Sequence, residues 1–272
     1  MPVGGFGYDG KRVLVVGGAT GMGAAAAQNV TELGAEAVVL DVAPIDYPCA
    51  QSLQVDLRDK ASVDRALDQA SGPFDAVFSC AGIGDGPGLM LINFISQRHL
   101  IDRLLAEGRL GRGSAIAMIS SAAGMGWQGQ LETNQDFLAC PDWESAAAWV
   151  EAHPGTDNYL FSKQVMCTYV AQESMALLRR GVRINAVLPG PTDTPLAQAN
   201  ADVWLGFGAS FRKEVGVQPL TPANIGDVLI FLCSDAAAGL TGVNLVIDYG
   251  HASSTVAGSY EDPGIKGLLG IG

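Results

Sequence analysis

Charge is scarce in this chain of 272 residues: only 16% of the side chains are Asp, Glu, Lys or Arg, where a typical globular domain carries about a quarter. The basic side is the poorer one, with 16 Lys and Arg against 28 Asp and Glu and a formal charge of −12. Nucleic acid and anionic membrane surfaces are gripped by clustered Lys and Arg, so this composition argues against both and for a small-molecule partner. There are three histidines, His99, His153 and His251, too scattered to form a local metal-binding pattern, and no metal is expected. The five cysteines are odd in number and contain no CxxC, which fits neither a disulfide framework nor a zinc site and suits a reducing compartment. No apolar run reaches the roughly 18 residues of a spanning helix, and residues 1–10 lack a basic stretch followed by an apolar core. The expectation is a cytoplasmic protein, neither exported nor embedded.

What the chain does have is apolar content and glycine: 48% hydrophobic residues and 35 Gly, enough for one large core with many tight turns. No internal repeat is visible. Short apolar runs at 12–16, 37–40, 75–79, 115–119, 183–188 and 244–247, with a weaker one at 53–55, have the character of strands buried on both faces. Stretches with helical spacing separate them, at about 22–33, 60–70, 88–107, 158–180 and 222–234. This alternation predicts an α/β fold: a single domain over 1–272 with a doubly wound parallel sheet of about seven strands and helices on both faces. Right-handed crossovers gather the loops after the strand C-termini along one edge, where ligands of such sheets bind. The segment 122–158 is too long for a simple connection and is read as an insertion holding one helix, capped by Asp142 and running from Trp143 to Val150.

The first strand runs directly into Gly17-Gly18-Ala19-Thr20-Gly21-Met22-Gly23, and a helix opens behind it with four alanines. Glycines there permit positive φ and let backbone N–H groups and the helix N-terminus approach a pyrophosphate. Asp41, closing the second strand, stands where a carboxylate accepts hydrogen bonds from the ribose hydroxyls of NAD, and its neighbours Val42 and Ala43 offer no cation to a 2′-phosphate. The expected cofactor is NAD rather than NADP. Asp56-Leu57, after the third strand, is positioned to meet the adenine edge.

GxxxGxG at 17–23, Cys80-Ala81-Gly82 after the fourth strand, Ser121 after the fifth, Tyr159-xxx-Lys163, and Pro189-Gly190-Pro191-Thr192-Asp193-Thr194 after the sixth occur together and in order. In this the chain resembles the short-chain dehydrogenase/reductases from about Lys11 to Ala252. The insertion before Tyr159 and the ending Val246-Ile247-Asp248-Tyr249-Gly250-His251-Ala252-Ser253 look closest to the coniferyl-alcohol dehydrogenase and bacterial 3α-hydroxysteroid dehydrogenase branch. Three positions depart from the family pattern. Val16 stands for a threonine, Ser79-Cys80 for Asn-Asn, and Tyr249 for the first glycine of an Asp-Gly-Gly.

The resemblance implies an NAD-dependent oxidoreductase with Tyr159 as general acid/base and Lys163 one helical turn behind it. A tyrosine does this work at neutral pH only if its pKa falls well below about 10, and the ammonium of Lys163, joined by the oxidised nicotinamide, is expected to lower it. The same resemblance gives Ser121 the substrate oxygen, with Ser120 as the rival by strand alternation. Lys163 is expected at the nicotinamide ribose and Asn93 in a proton path. Pro189, Gly190, Thr192 and Thr194 fall to the carboxamide and phosphates. Residues 196–217 correspond to the segment that closes over substrate. With Leu196, Trp204 and Trp127, and with Trp149 as a further candidate, they suggest a wide, partly aromatic cavity for a hydrophobic alcohol or ketone of steroid-like or aryl type. Packing of the insertion against the body is the competing explanation for these tryptophans, and Trp143 is assigned to it. A homodimer or homotetramer is expected. The Gly/Ser-rich tail, about 253–272, either covers the cavity or reaches a neighbour. Two rival readings are a dinucleotide sensor, which has no use for the Ser-Tyr-Lys set, and an enoyl reductase, whose Tyr and Lys are spaced by six residues rather than three.

Overall fold

Alternate residues of the first strand point to opposite faces, and each face finds a complete core. In the computed structural model, which describes residues 5–70 and 72–271, β1 (Arg12–Val16) sends Leu14 and Val16 into one apolar cluster and Val13 and Val15 into another. The chain continues through α1 (Gly21–Glu32), β2 (Glu36–Asp41), β3 (Gln51–Gln54), α2 (Lys60–Gln69) and β4 (Ala76–Ser79). A π-helical turn, Leu91–Ile95, then leads into α3 (Ser96–Ala106) and β5 (Ala115–Ile119). The second half comprises α4 (Leu131–Leu138), α5 (Trp143–Ala152), α6 (Tyr159–Arg179), β6 (Arg183–Pro189), α7 (Pro195–Gln198), α8 (Ala201–Trp204), α9 (Ala209–Val215), α10 (Pro222–Cys233), β7 (Asn244–Ile247), α11 (His251–Val256) and α12 (Pro263–Leu269). All seven strands pair in parallel in the order β3-β2-β1-β4-β5-β6-β7. This is the expected doubly wound Rossmann-type sheet, and the order reverses direction between β1 and β4, where such sheets open a crevice.

Helices α1 and α10 cover one face. The alanines at 24–27 let them approach closely, to the point that a Cβ on Gly226 would lie 3.0 Å from the Ala26 nitrogen. Helices α2, α3 and α6 cover the other face, centred on Phe94, Ile101, Val165 and Met166. The insertion holds two α-helices, α4 and α5, where its sequence predicts one. Helix α4 lacks a side-chain cap at its start, so no local signal announces it. It is held by tertiary contacts: Phe137 is fully buried among Phe94, Phe161 and Trp149, and the Asn134 amide donates to the Thr168 hydroxyl at 2.9 Å. The described residues after Ser253 fold back onto the body and include α12, whose Ile265 is 1% exposed. Among the described residues, no helix is long and apolar enough to cross a membrane.

Candidate active site

The glycine loop is built for two different purposes. A Cβ on Gly17 would lie 2.4 Å from the Ala81 Cα, and one on Gly23 would lie 2.0 Å from the Gly17 carbonyl oxygen, so these two glycines are required by the protein's own packing. Gly21 instead has φ +60° and nothing closer than 3.5 Å, at Thr194, and it opens onto a cleft of about 440 Å³. That cleft runs from Asp41, Asp56 and Leu57 over Ala81 and Gly82 to Thr20, Met22 and Thr194. An adjoining cavity of about 540 Å³ begins at Gly82 and Cys80 and reaches Ser121, Tyr159, Lys163, Gly190 and Thr192. Met22, Cys80, Gly82, Thr194 and Leu196 line both. Together they form one trough along the carboxyl ends of the strands, long enough and backbone-lined enough to fit a dinucleotide with its nicotinamide end toward Tyr159.

Asp41 is fixed in place before any ligand arrives. Its carboxylate accepts from the backbone N–H of Ala19 (2.8 Å) and of Ala43 (3.0 Å). The Ala19 N–H is thereby unavailable to an incoming phosphate. Tyr47, from the loop after β2, donates its hydroxyl to the Gly18 carbonyl and so braces the loop from outside, a contact the sequence did not signal. Asp56 is tied to Arg58 at 2.8 and 3.0 Å, and these hydrogen bonds hold its carboxyl below the usual range. Thr194 caps α7, its hydroxyl accepting from Ala197 N–H at 3.1 Å, and the Thr192 hydroxyl donates to the Gly190 carbonyl at 3.0 Å. Pro189 closes β6 and turns the chain into this segment.

At the other end of the trough the two serines separate. Ser120, 2% exposed, donates to the Lys163 carbonyl at 2.9 Å and is turned into α6, whereas Ser121 is half-buried on the cavity beside Tyr159 and caps the following turn. Lys163 is 3% exposed. Its Nζ donates to the Ile119 carbonyl at 2.9 Å and lies 5.5 Å from the centre of the Tyr159 ring. Burial lowers the Lys163 ammonium from 10.5 to about 8. Burial also pushes the Tyr159 phenol up to about 12, with the Ser121 hydroxyl opposing it. The expected lowering involves the oxidised nicotinamide as well as Lys163; in the protein by itself the loss of water dominates, and the lysine ammonium is turned to the Ile119 carbonyl.

Asn93 is fully buried in the π-helical turn, the kind of helix distortion that often marks functional positions. Its amide accepts from Ile83 N–H (2.8 Å) and donates to the Ile83 carbonyl (3.0 Å) and the Ser162 hydroxyl (3.2 Å). Asn93 and Lys163 both face Gly82, where a Cβ would stand 3.4 Å from the Asn93 Oδ1 and 3.5 Å from the lysine Nζ. The Ser79-Cys80 departure is compensated by Gln97, buried and unannounced in sequence, which binds the Ser79 hydroxyl and donates to the Ala81 carbonyl at 2.8 Å. Tyr249, another of the three departures, sits at φ 60°, a left-handed conformation that disfavours any residue with a Cβ.

The tryptophans divide. Trp204 lines the cavity, packing edge-on to the Tyr159 ring with centroids 4.8 Å apart. Trp127 lines neither cavity, which corrects its assignment to the substrate. It packs half-buried against the core that α12 completes, because the Leu268 backbone lies directly on the turn at Gly126. Trp149 stacks on Phe161 and His153 and donates its indole N–H to Asp136 at 2.8 Å. Trp143 is 8% exposed and meets His99 edge-on. Both belong to the packing of the insertion. Among the described residues no cluster of His, Cys, Asp or Glu is arranged to hold a metal.

Residues 145–252 match the family described as Enoyl-(Acyl carrier protein) reductase, and residues 13–137 match the NAD dependent epimerase/dehydratase family. The cis-4-hydroxycyclohexanecarboxylate dehydrogenase of Sinomonas cyclohexanicum is 30% identical over 259 residues, covering 89% of this chain and 97% of that protein. The chain belongs to the short-chain dehydrogenase/reductase family. Its relatives in this family include the coniferyl-alcohol dehydrogenase of Pseudomonas sp. (strain HR199 / DSM 7063), 23% identical across 90% of this chain and 98% of that one. The same fold occurs in the 3-alpha-hydroxysteroid dehydrogenase from Pseudomonas sp. B-0831 complexed with NADH, with a TM-score of 0.71 at 23% identity, covering 92% of this chain and 100% of that one. These relatives are dehydrogenases, which supports an oxidoreductase, and the match of residues 13–137 to an NAD dependent family supports a nicotinamide dinucleotide as cofactor.

Proposed function

We propose that this short-chain dehydrogenase/reductase uses NAD to interconvert a hydrophobic, uncharged alcohol, steroid-like or aryl, and its carbonyl form. The observation that carries this reading is the single trough linking the Asp41 carboxylate to the Ser121, Tyr159 and Lys163 cluster. Gly17 to Gly23, Asp41, Asp56-Leu57, Cys80 to Gly82, Lys163 and the 189–194 turn would hold the dinucleotide, which when bound supplies the hydride acceptor or donor. Asp41 favours NAD, since a 2′-phosphate would meet its carboxylate and find the Ala19 N–H taken. Arg58, the sole basic residue on that cleft among the described residues, is paired with Asp56.

In the reductive direction the Tyr159 hydroxyl gives its proton to the substrate oxygen, which the Ser121 hydroxyl holds. Burial raises the Tyr159 phenol, which favours the protonated form that this step consumes. Lys163 supports the phenolate left behind, and Asn93 fixes the Ile83 backbone beside it. Oxidation runs the same proton transfer in reverse. Among the described residues Lys163 is the sole cationic side chain lining the substrate cavity, and it is buried and turned to the Ile119 carbonyl, which disfavours a substrate carboxylate. The reading includes a homodimer or homotetramer, supported by the exposed Met175 and Leu178 on α6, and a cytoplasmic setting, supported by five free cysteines.

Tyr159→Phe decides the matter. With NADH fluorescence following both binding and turnover over a panel of steroid, terpenoid and aryl alcohols, the variant should bind the dinucleotide normally and lose turnover by about a thousandfold. Retention of more than a few per cent of wild-type turnover would overturn the assignment.

A further inference from the structure

Part of the substrate cavity's wall comes from residues near 264–268. Leu268 and Gly264 of α12 line it, together with Phe207 from the segment after α8. Besides Ile265 in the core and the Leu268 backbone on the Gly126 turn, a buried polar junction holds helix α12 there. The Asp262 Oδ1 caps α12, accepting from Gly264 N–H (2.8 Å) and Ile265 N–H (3.2 Å), while its Oδ2 meets the His251 Nε2 at 2.9 Å. The imidazole is 4% exposed and stacks on Phe211 of α9, with ring centroids 4.4 Å apart and planes at 14°. Phe207 lies 6.0 Å from the same imidazole, and Tyr260 closes it edge-on at 5.6 Å while donating its hydroxyl to Ser210 at 3.0 Å. A buried His–Asp pair distant from the Tyr159 chemistry thus fastens α12 to the segment that carries Trp204, Phe207 and Phe211.

We propose that α12 is the size-limiting wall of the substrate cavity, with Leu268 as the specificity-determining side chain and His251–Asp262 as the clamp that positions it. The inference rests on the substrate-cavity reading above but not on turnover. Removing the Leu268 isobutyl group opens space at that wall of the cavity, so larger ring systems gain affinity relative to small ones. A methylene's worth of space in an apolar pocket alters discrimination by roughly tenfold or more.

The test is calorimetric binding of cyclohexanone and of a four-ring steroid ketone, in the presence of oxidised NAD so that no hydride can be transferred, to the full-length wild type, Leu268→Ala, His251→Phe and Lys266→Ala. His251→Phe keeps the ring stack on Phe211 and loses the bond to Asp262. Lys266→Ala changes the same helix on its outer side, where the ammonium pairs with the exposed Glu261 at 2.8 Å. Leu268→Ala should shift the ratio of the two dissociation constants at least tenfold toward the steroid, His251→Phe should shift it in the same direction, and Lys266→Ala should leave it within twofold of wild type. If His251→Phe does not fold, Leu268→Ala decides alone. An unchanged ratio in Leu268→Ala overturns the inference. So does an equal shift in Lys266→Ala, which would mean general loosening, or a wild type that binds neither ketone. Binding with the expected ratios but without NADH oxidation when NADH replaces NAD would leave the wall standing and remove the dehydrogenase reading instead.

Discussion

Lys163 places its Nζ 5.5 Å from the centre of the Tyr159 ring but donates to the Ile119 carbonyl, 2.9 Å away. The two groups of the YxxxK motif are therefore adjacent without being paired through the phenol oxygen. Burial governs both, raising the tyrosine to about 12 and lowering the lysine to about 8.

For the tyrosine, this means that the protein without dinucleotide holds Tyr159 as a neutral phenol through the whole physiological range. A tyrosinate absorbance titration, wild type minus Tyr159→Phe, should show no ionisation from this residue below about pH 11. A component near pH 7 to 8 that disappears in the variant would contradict the arrangement.

The lysine predicts a stability effect whose sign depends on pH. Its folded pKa of about 8 lies below the unfolded 10.5, so the unfolded chain binds more protons between those values and stability rises with pH there. The cost of the buried ammonium is complete below pH 8 and fades as pH approaches 10.5. It amounts to roughly 3 kcal/mol at pH 6.5, as an order of magnitude. Lys163→Met should therefore gain stability over wild type at pH 6.5, with about 2 kcal/mol of that advantage gone at pH 9.5. Urea unfolding at both pH values measures it, and an advantage independent of pH would refute it.

Cofactor choice is predicted to rest on Asp41. Its replacement by alanine removes the negative charge and frees the N–H groups of Ala19 and Ala43, so NADP should gain at least tenfold on NAD in relative affinity, about 1.4 kcal/mol. Fluorescence titration with both reduced dinucleotides reads the ratio. A wild type that already prefers NADP would reverse the interpretation of the β2 terminus.

Two tryptophans should respond in opposite ways. Trp149→Ala removes the stack on Phe161 and His153 and should lower stability by about 2 kcal/mol or more without altering substrate preference. Trp204→Ala should change KM for hydrophobic alcohols several-fold with a smaller loss of stability, because it borders the cavity. Melting curves and kinetics on the two variants separate these outcomes, and a selectivity change in Trp149→Ala would argue against the division.

Seven apolar runs, a glycine loop and the Tyr159 to Lys163 spacing are local patterns. They were enough to determine the parallel sheet, the strand edge that carries the trough, and the residues gathered along it, because strand and helix periodicity fix which side chains share a face. Gly17 and Gly23 were legible as well, though for a different reason than expected: each is confined by a neighbouring backbone atom. Tertiary structure alone decided that the Ser120 hydroxyl is spent on α6 while that of Ser121 is not, that Gln97 supports the Ala81 carbonyl, and that Trp127 belongs to the core. It also decided that residues after Ser253 return to build part of the cavity wall. Each of these depends on a partner far away in the chain, such as Ser120 against Lys163 or His251 against the α9 ring of Phe211. The protonation of Tyr159 and Lys163 is of the same kind, since the energy of a charge follows from the water removed around it, and that is settled only when distant segments close over the site.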